Sequence, residues 1–231
     1  MRKTVQIYKI LEKEFPNLEL TAIALGKMEW FLQVLRQWNT KMNLTAIQSE
    51  ERQFAKHILD PLALYKYPTI CEILSGKILD MGSGAGIPGI VLSIVDPGLE
   101  IASVDKSEKK IIFQQHVKSQ LQLFHFNPMT NRLESLAKNA NHTAQYDIVV
   151  SRAFSRLTTL LRYGGVFLKS GGKLVLWKGK RWREEYRSIP DDVKEQFPTV
   201  FENRYHFKKY NIGGSILVFP RNDLPQKPTS G

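Results

Sequence analysis

The stretch Lys77-Ile78-Leu79-Asp80-Met81-Gly82-Ser83-Gly84-Ala85-Gly86-Ile87-Pro88-Gly89 constrains the fold more than any other part of the chain. Its first part, Ile78 to Met81, is short and apolar, as a strand buried in a parallel sheet must be. Glycines follow at 82, 84, 86 and 89, and after them the helix-competent run Ile90-Val91-Leu92-Ser93-Ile94-Val95. Strand, glycine turn and helix in that order present backbone N–H groups and a helix N-terminus to a ligand. Glycine serves because a side chain would hold the ligand off the backbone, and because such turns often need positive φ. Pro88 suits a first helical turn, where its missing N–H costs nothing. A nucleotide-type site is expected here.

Two cofactors compete for this turn. Gly84-x-Gly86-x-x-Gly89 satisfies the dinucleotide fingerprint, with Asp105 near the expected distance downstream. The alternating form Asp80-x-Gly82-x-Gly84-x-Gly86 instead resembles the first motif of Rossmann-like S-adenosylmethionine-dependent methyltransferases. That resemblance implies a loop around the methionine part of the cofactor. It also implies a ribose-binding acid closing the second strand, which here is Asp105 after Glu100 to Val104.

The rest of the chain supports an α/β reading. Val5, Tyr8, Leu11 and Phe15 repeat at helical spacing until Pro16-Asn17. Thr21 can cap a second helix carrying Leu25, Met28, Leu32 and Leu35, with Trp30, Phe31 and Trp38 on its other side. Trp38 to Thr45 reads as a tight connection in which Asn39 and Asn43 bond local backbone. Ser49 can cap a third helix, acidic in its first turn, bearing Phe54, His57, Ile58, Leu62 and Tyr65 and kinked near Pro61. From Lys77 strands and helices alternate: Glu100–Asp105, a helix from Ser107 to Leu123, then strands at 126–130, 146–151 and 173–177. Tyr205–Lys209 and Ser215–Phe219 flank Asn211 to Gly214 as an antiparallel hairpin. The expected architecture is a mostly parallel doubly wound sheet, with that hairpin at its end. Residues 1–70 form a helical extension packed on a cofactor-binding core at 71–221. Residues 222–231, polar and proline-rich, are expected to be disordered.

In such a sheet the ligand lies beyond the strands' carboxyl ends. The residues found there are Gly82, Gly84 and Gly86; Asp105 and Lys106; Asn131 to Glu134; Ser151-Arg152-Ala153-Phe154; and Lys178-Gly179. An ionised Asp105 can accept both ribose hydroxyls, or it can cap the following helix. Glu134 is equally suited to a helix's first turn. The Arg152 fork can reach a carboxylate or phosphate. Lys178, Lys180, Arg181 and Arg183 surround Trp182, a set suited to phosphates and base stacking, or to a solvated loop. Lys and Arg number 33 against 22 Asp and Glu, a formal +11. Such an excess favours a polyanionic partner, nucleic acid before an anionic membrane. The single cysteine, Cys71, excludes an internal disulfide and a cysteine zinc site, so no metal is expected. With no apolar leader or spanning segment, a cytoplasmic monomer is expected.

Taken together and in order, Trp38-Asn39-x-x-x-Asn43-Leu44-Thr45, His57-Ile58-Leu59-Asp60, the glycine loop, Arg132-x-Glu134, Ser151-Arg152-Ala153-Phe154 and Lys178-Gly179 are more specific than any one of them. Over residues 30–220 the chain resembles the bacterial 16S ribosomal RNA guanine-N7 methyltransferases, the glucose-inhibited division protein B family. The resemblance implies a class I methyltransferase fold with S-adenosyl-L-methionine as cofactor. It implies 16S RNA as substrate, within the small subunit or its precursor, and cofactor contacts at Gly82, Ile87, Leu133, Glu134 and Arg152. Ile87 stands where many members carry Phe or Leu, which keeps the contact apolar.

The chemistry expected is undemanding. A sulfonium methyl is already activated, and guanine N7 bears a lone pair and no proton, so in-line positioning suffices without a general base. Asn39, Asn43, His57 and Arg152 are the candidates for that positioning. Cytosine-carbon methylation would need a nucleophilic cysteine, and Cys71 precedes the first strand. The Asn/Asp-Pro-Pro-aromatic motif of adenine-N6 enzymes is replaced by Ser151-Arg152-Ala153-Phe154. An NAD-dependent oxidoreductase and a non-enzymatic RNA-binding protein are the alternatives.

Overall fold

The computed structural model describes residues 2–152 and 155–222, with side chains from Ile7 onward. Ala153, Phe154 and the tail from 223, expected to be disordered, lie outside the described residues. The chain begins with α1 (Arg2–Glu14) and α2 (Ala22–Met42). Thr21 caps α2 by accepting the Ala24 N–H at 3.1 Å. Leu25, Met28, Leu32 and Leu35 are buried along the helix, as their spacing predicts. The first five residues of the tight connection expected from Trp38, through Met42, are instead helix. Trp38 packs on Phe113 and His116 at ring-centroid distances of 5.5 and 5.0 Å, and this tertiary contact prolongs the helix. The helix stops at Asn43, which takes the left-handed conformation with φ 51°.

The third helical segment is not one kinked helix. Ser49 caps α3 (Glu50–Phe54), a π-helical turn spans Ala55–Leu59, and α4 (Asp60–Leu62) and a 3-10 turn (Ala63–Lys66) follow. The wider π turn precedes Pro61, which has no N–H to give an α-helical ladder. After α5 (Pro68–Cys71) the sheet begins with β1 (Lys77–Met81). It continues through α6 (Gly89–Val95), β2 (Glu100–Asp105), α7 (Glu108–Leu121), β3 (Phe126–Thr130), α8 (Leu133–Leu136) and β4 (Tyr146–Arg152).

Beyond β4 the structure holds more than the sequence patterning predicts. The helix α9 (Leu157–Phe167) contains Gly164 and Gly165, which masked its periodicity. The strand β5 (Leu168–Lys178) starts five residues earlier than expected, because its register with β4 slips between Leu168 and Lys173. Two short helices, α10 (Trp182–Arg187) and α11 (Asp191–Lys194), precede the hairpin of β6 (Phe201–Phe207) and β7 (Ile212–Pro220).

The strands form one sheet in the order β3-β2-β1-β4-β5-β7-β6, with the first five parallel and β7 antiparallel to both of its neighbours, β5 and β6. Pro128 is tolerated because β3 is an edge strand. One sheet face shares a hydrophobic cluster with the N-terminal helices, from Leu11 and Phe31 to Ile90 and Phe113. The other packs Leu79 and Leu176 against Leu160, Trp182 and Phe197. The strand order reverses between β1 and β4, so the loops after these two strands diverge and leave a crevice.

Candidate active site

The loop after β1 is held at both ends by carboxylates. Asp80, fully buried, accepts the Gly89 N–H at 2.9 Å, and Asp105 accepts the Gly84 N–H at 3.0 Å. Gly82, Gly84 and Gly86 all adopt positive φ, at 66°, 60° and 80°. Gln114, buried on α7, braces the loop: its amide donates to Ser83 Oγ at 2.9 Å and Gly84 O at 2.8 Å and accepts from Ser103 Oγ at 2.7 Å. Three further N–H groups bond within the protein, Ser83 to Val104 O and both Gly86 and Ile87 to Ser83 O. The loop therefore does not offer these donors to a ligand as the strand–turn–helix pattern suggests. Its helix N-terminus is taken by the Asp80 carboxyl, where a pyrophosphate would otherwise be drawn. Oδ1 of Asp80 has no partner among the described residues, and burial pushes this carboxyl up to about 7.

Over the loop lies a cavity of about 300 Å³. Gly82, Ser83, Gly84 and Ile87 form one wall, and Asp105, Lys106 and Lys110 another. The remaining side comes from the N-terminal segment and β4: Leu44, Thr45, His57 and Arg152. Asp105 accepts the Ser107 N–H at 2.9 Å as well as that of Gly84, so it caps the turn into α7 while facing the cavity. Each of its oxygens keeps a further lone pair. A Cβ at Gly84 would meet only Lys110 Nζ at 4.0 Å, so the loop surface is open on the cavity side. Carboxylate, bare backbone and the apolar Ile87 side chain suit the ribose and aliphatic parts of a nucleoside cofactor.

His57 comes from the π turn and is buried, with Nε2 3.2 Å from Thr45 Oγ1. Burial first, and the Arg152 charge second, lower its pKa to about 4, so the imidazole is neutral near pH 7. Arg152 donates to Lys56 O at 2.7 Å and Asp60 Oδ2 at 3.0 Å. Asp60 in turn accepts from Tyr205 Oη at 2.6 Å through Oδ1, and from Trp177 Nε1 at 2.8 Å through its backbone oxygen. Burial raises the Tyr205 phenol well above its ordinary range, so it stays a donor.

Of the residues singled out from sequence, Gly82, Gly84, Ile87, Asp105, His57 and Arg152 meet at this cavity. Gly86 does not line it; a Cβ there would stand 2.3 Å from Ile90 Cδ1, so its role is close packing on α6. Leu133 belongs to the cluster on the opposite sheet face, and Glu134 is exposed beside Tyr163. Asn39 is buried and accepts the Thr45 N–H at 2.8 Å, and Asn43 ends α2. Both shape the loop carrying Leu44 and Thr45. Lys178 is half-buried, paired with Glu185 at 2.8 Å and 3.4 Å from Ser155 O, so it is a structural cation rather than a free phosphate contact. Trp182 is buried and bonds Glu202, which leaves no indole face for a base. Lys180, Arg181 and Arg183 are exposed. Gln114 and Tyr205 escaped the sequence reading, since nothing in their local pattern marks a buried polar partner; Asp60 entered it only as the end of the His57-Ile58-Leu59-Asp60 motif, without a partner.

The family model for rRNA small subunit methyltransferase G, GidB, matches residues 24–211. The chain is 42% identical over 191 residues to the ribosomal RNA small subunit methyltransferase G of Geotalea uraniireducens, covering 81% of this chain and 84% of that one. It is also 42% identical over 171 residues to the protein of the same name from Geobacter metallireducens, covering 73% and 74%. Among solved structures, a SAM-dependent methyltransferase from Methanosarcina mazei aligns with a TM-score of 0.52 at 15% identity, over 68% of this chain and 98% of that one. The Rossmann-like class I fold is thus shared beyond detectable sequence kinship. Among the described residues, no helix is long and apolar enough to cross a membrane.

Proposed function

The chain belongs to the rRNA small subunit methyltransferase G family, and from that premise we propose that it transfers a methyl group from S-adenosyl-L-methionine to N7 of a guanine in 16S small-subunit ribosomal RNA. The observation that carries the cofactor choice is the bond from Gly89 N–H to Asp80. A dinucleotide needs the loop's N–H groups and helix N-terminus for its pyrophosphate. Here a carboxyl already occupies that place, which disfavours a polyphosphate and leaves a neutral or cationic ligand acceptable.

When bound, S-adenosylmethionine supplies a methyl group already activated by its sulfonium. Asp105 accepts the ribose hydroxyls, Gly82 and Gly84 expose backbone to the aliphatic part, and Ile87 gives an apolar contact. Arg152, fixed by Asp60, sits at the mouth with His57. Leu133 and Glu134 are given no cofactor contact in this reading, and Gly86 acts through packing. Because guanine N7 carries no proton, no base is required. A neutral His57 then serves as a wall that orients the acceptor, with Thr45 fixing its ring. Asn39 and Asn43 act one step away, by holding the Leu44–Thr45 loop. Lys180, Arg181 and Arg183 lie beyond β5, where phosphates of the RNA pass. In this reading residues 1–70 are a helical extension over the methyltransferase core at 71–221. The protein works in the cytoplasm, as a monomer, on the small subunit or its precursor.

The test is transfer of one labelled methyl group to small-subunit RNA from cells lacking the protein. Borohydride reduction and aniline should then cut the RNA at a single guanine, because the N7-methylated ring is labile. Replacing that guanine by 7-deazaguanine should abolish transfer. Label recovered as 5-methylcytosine, N6-methyladenine or a ribose methyl would overturn the assignment. Naked RNA and intact small subunits should both be offered, since ribosomal proteins can present the base.

A further inference from the structure

A second opening lies at the same edge of the sheet. Lys178, the last residue of β5, pairs with Ser215, so Gly213 and Gly214 of β7 run past the end of β5 opposite His206 and Tyr205 of β6. A cleft of about 740 Å³ is built around them. Gly213 and Gly214 line it where the backbone packs too closely for a side chain. A Cβ on Gly213 would stand 2.7 Å from Tyr205 O, and one on Gly214 would stand 2.9 Å from Lys178 O. Three full cations line the cleft, Lys180, Arg183 and Arg204, all exposed, together with the exposed His206.

Among the residues lining the cleft the single acid is Glu202, and its carboxylate is already engaged. It accepts from Ser215 Oγ at 2.7 Å, Trp182 Nε1 at 2.9 Å and Arg204 Nε at 3.2 Å, and it is paired with Arg183. Two of the three full cations, Arg183 and Arg204, share this one satisfied carboxylate, and Lys180 adds a third charge, which leaves positive charge facing solvent. Arg204 is held at Nε, and its side chain is 69% exposed. The cleft is also close to the cofactor cavity. Tyr205 lines the cleft and bonds Asp60, Asp60 bonds Arg152, and Arg152 lines the cavity. The two openings share a wall three side chains thick.

We propose that this cleft docks the sugar-phosphate backbone of the RNA strand carrying the target guanine, with Arg204 and Lys180 as its phosphate contacts. The inference rests on the functional reading above and extends it to the C-terminal hairpin. Exposed guanidinium and ammonium groups along one cleft suit a chain of phosphates. An acidic protein segment would find the same cations but no repeated charge at phosphate spacing.

The experiment uses the full chain and fluorescein-labelled, unmethylated small-subunit RNA, with anisotropy read over a series of KCl concentrations. R204Q and K180Q should each flatten the slope of log K against log salt by about 0.7, the value for one lost phosphate contact on a single strand. The double variant should bind RNA roughly tenfold more weakly. Its S-adenosylmethionine affinity, read by calorimetry, should match the wild type, which also shows that it folds. K13E, on α1, controls for net charge and should leave RNA affinity near the wild-type value. Wild-type binding with an unchanged affinity and slope in the double variant overturns the cleft assignment and leaves the functional reading standing. A wild-type protein that binds neither this RNA nor small subunits overturns the functional reading itself, and the cleft with it.

Discussion

The Tyr205 hydroxyl donates to Oδ1 of Asp60 at 2.6 Å, a bond between residues 145 apart that ties the C-terminal hairpin to α4 of the N-terminal helices. The other Asp60 oxygen takes Arg152, so one buried carboxylate fixes both a strand and a cavity-lining cation. Removing only the hydroxyl, in Tyr205→Phe, deletes one bond to a charged acceptor and should cost about 1.5–3 kcal/mol. Removing the carboxylate, in Asp60→Ala, leaves the Arg152 guanidinium half-buried without its partner and should cost about 3–5 kcal/mol. Urea denaturation measures both. Equal losses in the two variants would mean that Asp60 does not hold Arg152.

Asp105 has two tasks, and substitution separates them. Asp105→Ala removes the proposed ribose acceptor and should weaken S-adenosylmethionine binding tenfold to a hundredfold, about 1.5–3 kcal/mol. It also frees the N–H groups of Gly84 and Ser107, so the melting temperature should fall. Asp105→Asn can still accept one of these N–H groups and should recover part of the stability but little of the affinity. Calorimetry on a folded Asp105→Ala protein that binds the cofactor as the wild type does would take Asp105 out of the site.

The parts of this molecule that follow from local pattern were legible in its sequence, and the parts that depend on tertiary partners were not. The strand ending at Met81, the glycine turn and the acid at Asp105 obey short-range rules, and the turn and the acid come together at one cavity. The helix at 157–167 was hidden by Gly164 and Gly165, which pattern reads as a loop. Gly164 is there because a Cβ would press on Leu174 at 3.0 Å, a cause visible only in three dimensions. Likewise the run from Lys178 to Arg183 reads in sequence as cations around an indole, suited to phosphates and base stacking or to a solvated loop. Folding sorts it into an internal ion pair, a buried indole and an exposed cationic rim.

That sorting can be measured. Lys178→Gln should lower stability by roughly 1–3 kcal/mol, because Glu185 loses its charged partner in a half-buried setting. Its effect on the salt dependence of RNA binding should be slight. Arg181→Gln, at an exposed position, should do the reverse, leaving the unfolding midpoint in place and reducing the RNA salt slope by about 0.7. If Lys178→Gln flattens the salt slope as much as Arg181→Gln does, Lys178 reaches RNA after all.

His57 and Asp80 tilt stability with pH in opposite directions, and their variants should unmask two slopes that the wild type conceals. Burial lowers His57 from its ordinary 6.5 to about 4. Between those values the unfolded chain holds the extra proton, so this contribution is complete above pH 6.5 and is lost as pH falls toward 4. Burial raises Asp80 from its ordinary 3.8 to about 7. Here the folded chain holds the extra proton, so the contribution is complete below pH 3.8 and is lost as pH rises through 7. Over the shared window the slopes oppose each other, each limited to about 1.4 kcal/mol per pH unit. Asp80→Asn keeps an acceptor for the Gly89 N–H and removes the falling slope, so its stability should climb with pH across that window. His57→Gln removes the rising slope, so its stability should decline over the same range. Denaturant midpoints at several pH values across the window decide the matter. A His57→Gln protein whose midpoint still rises with pH would mean that the imidazole is not the group that gains a proton on unfolding.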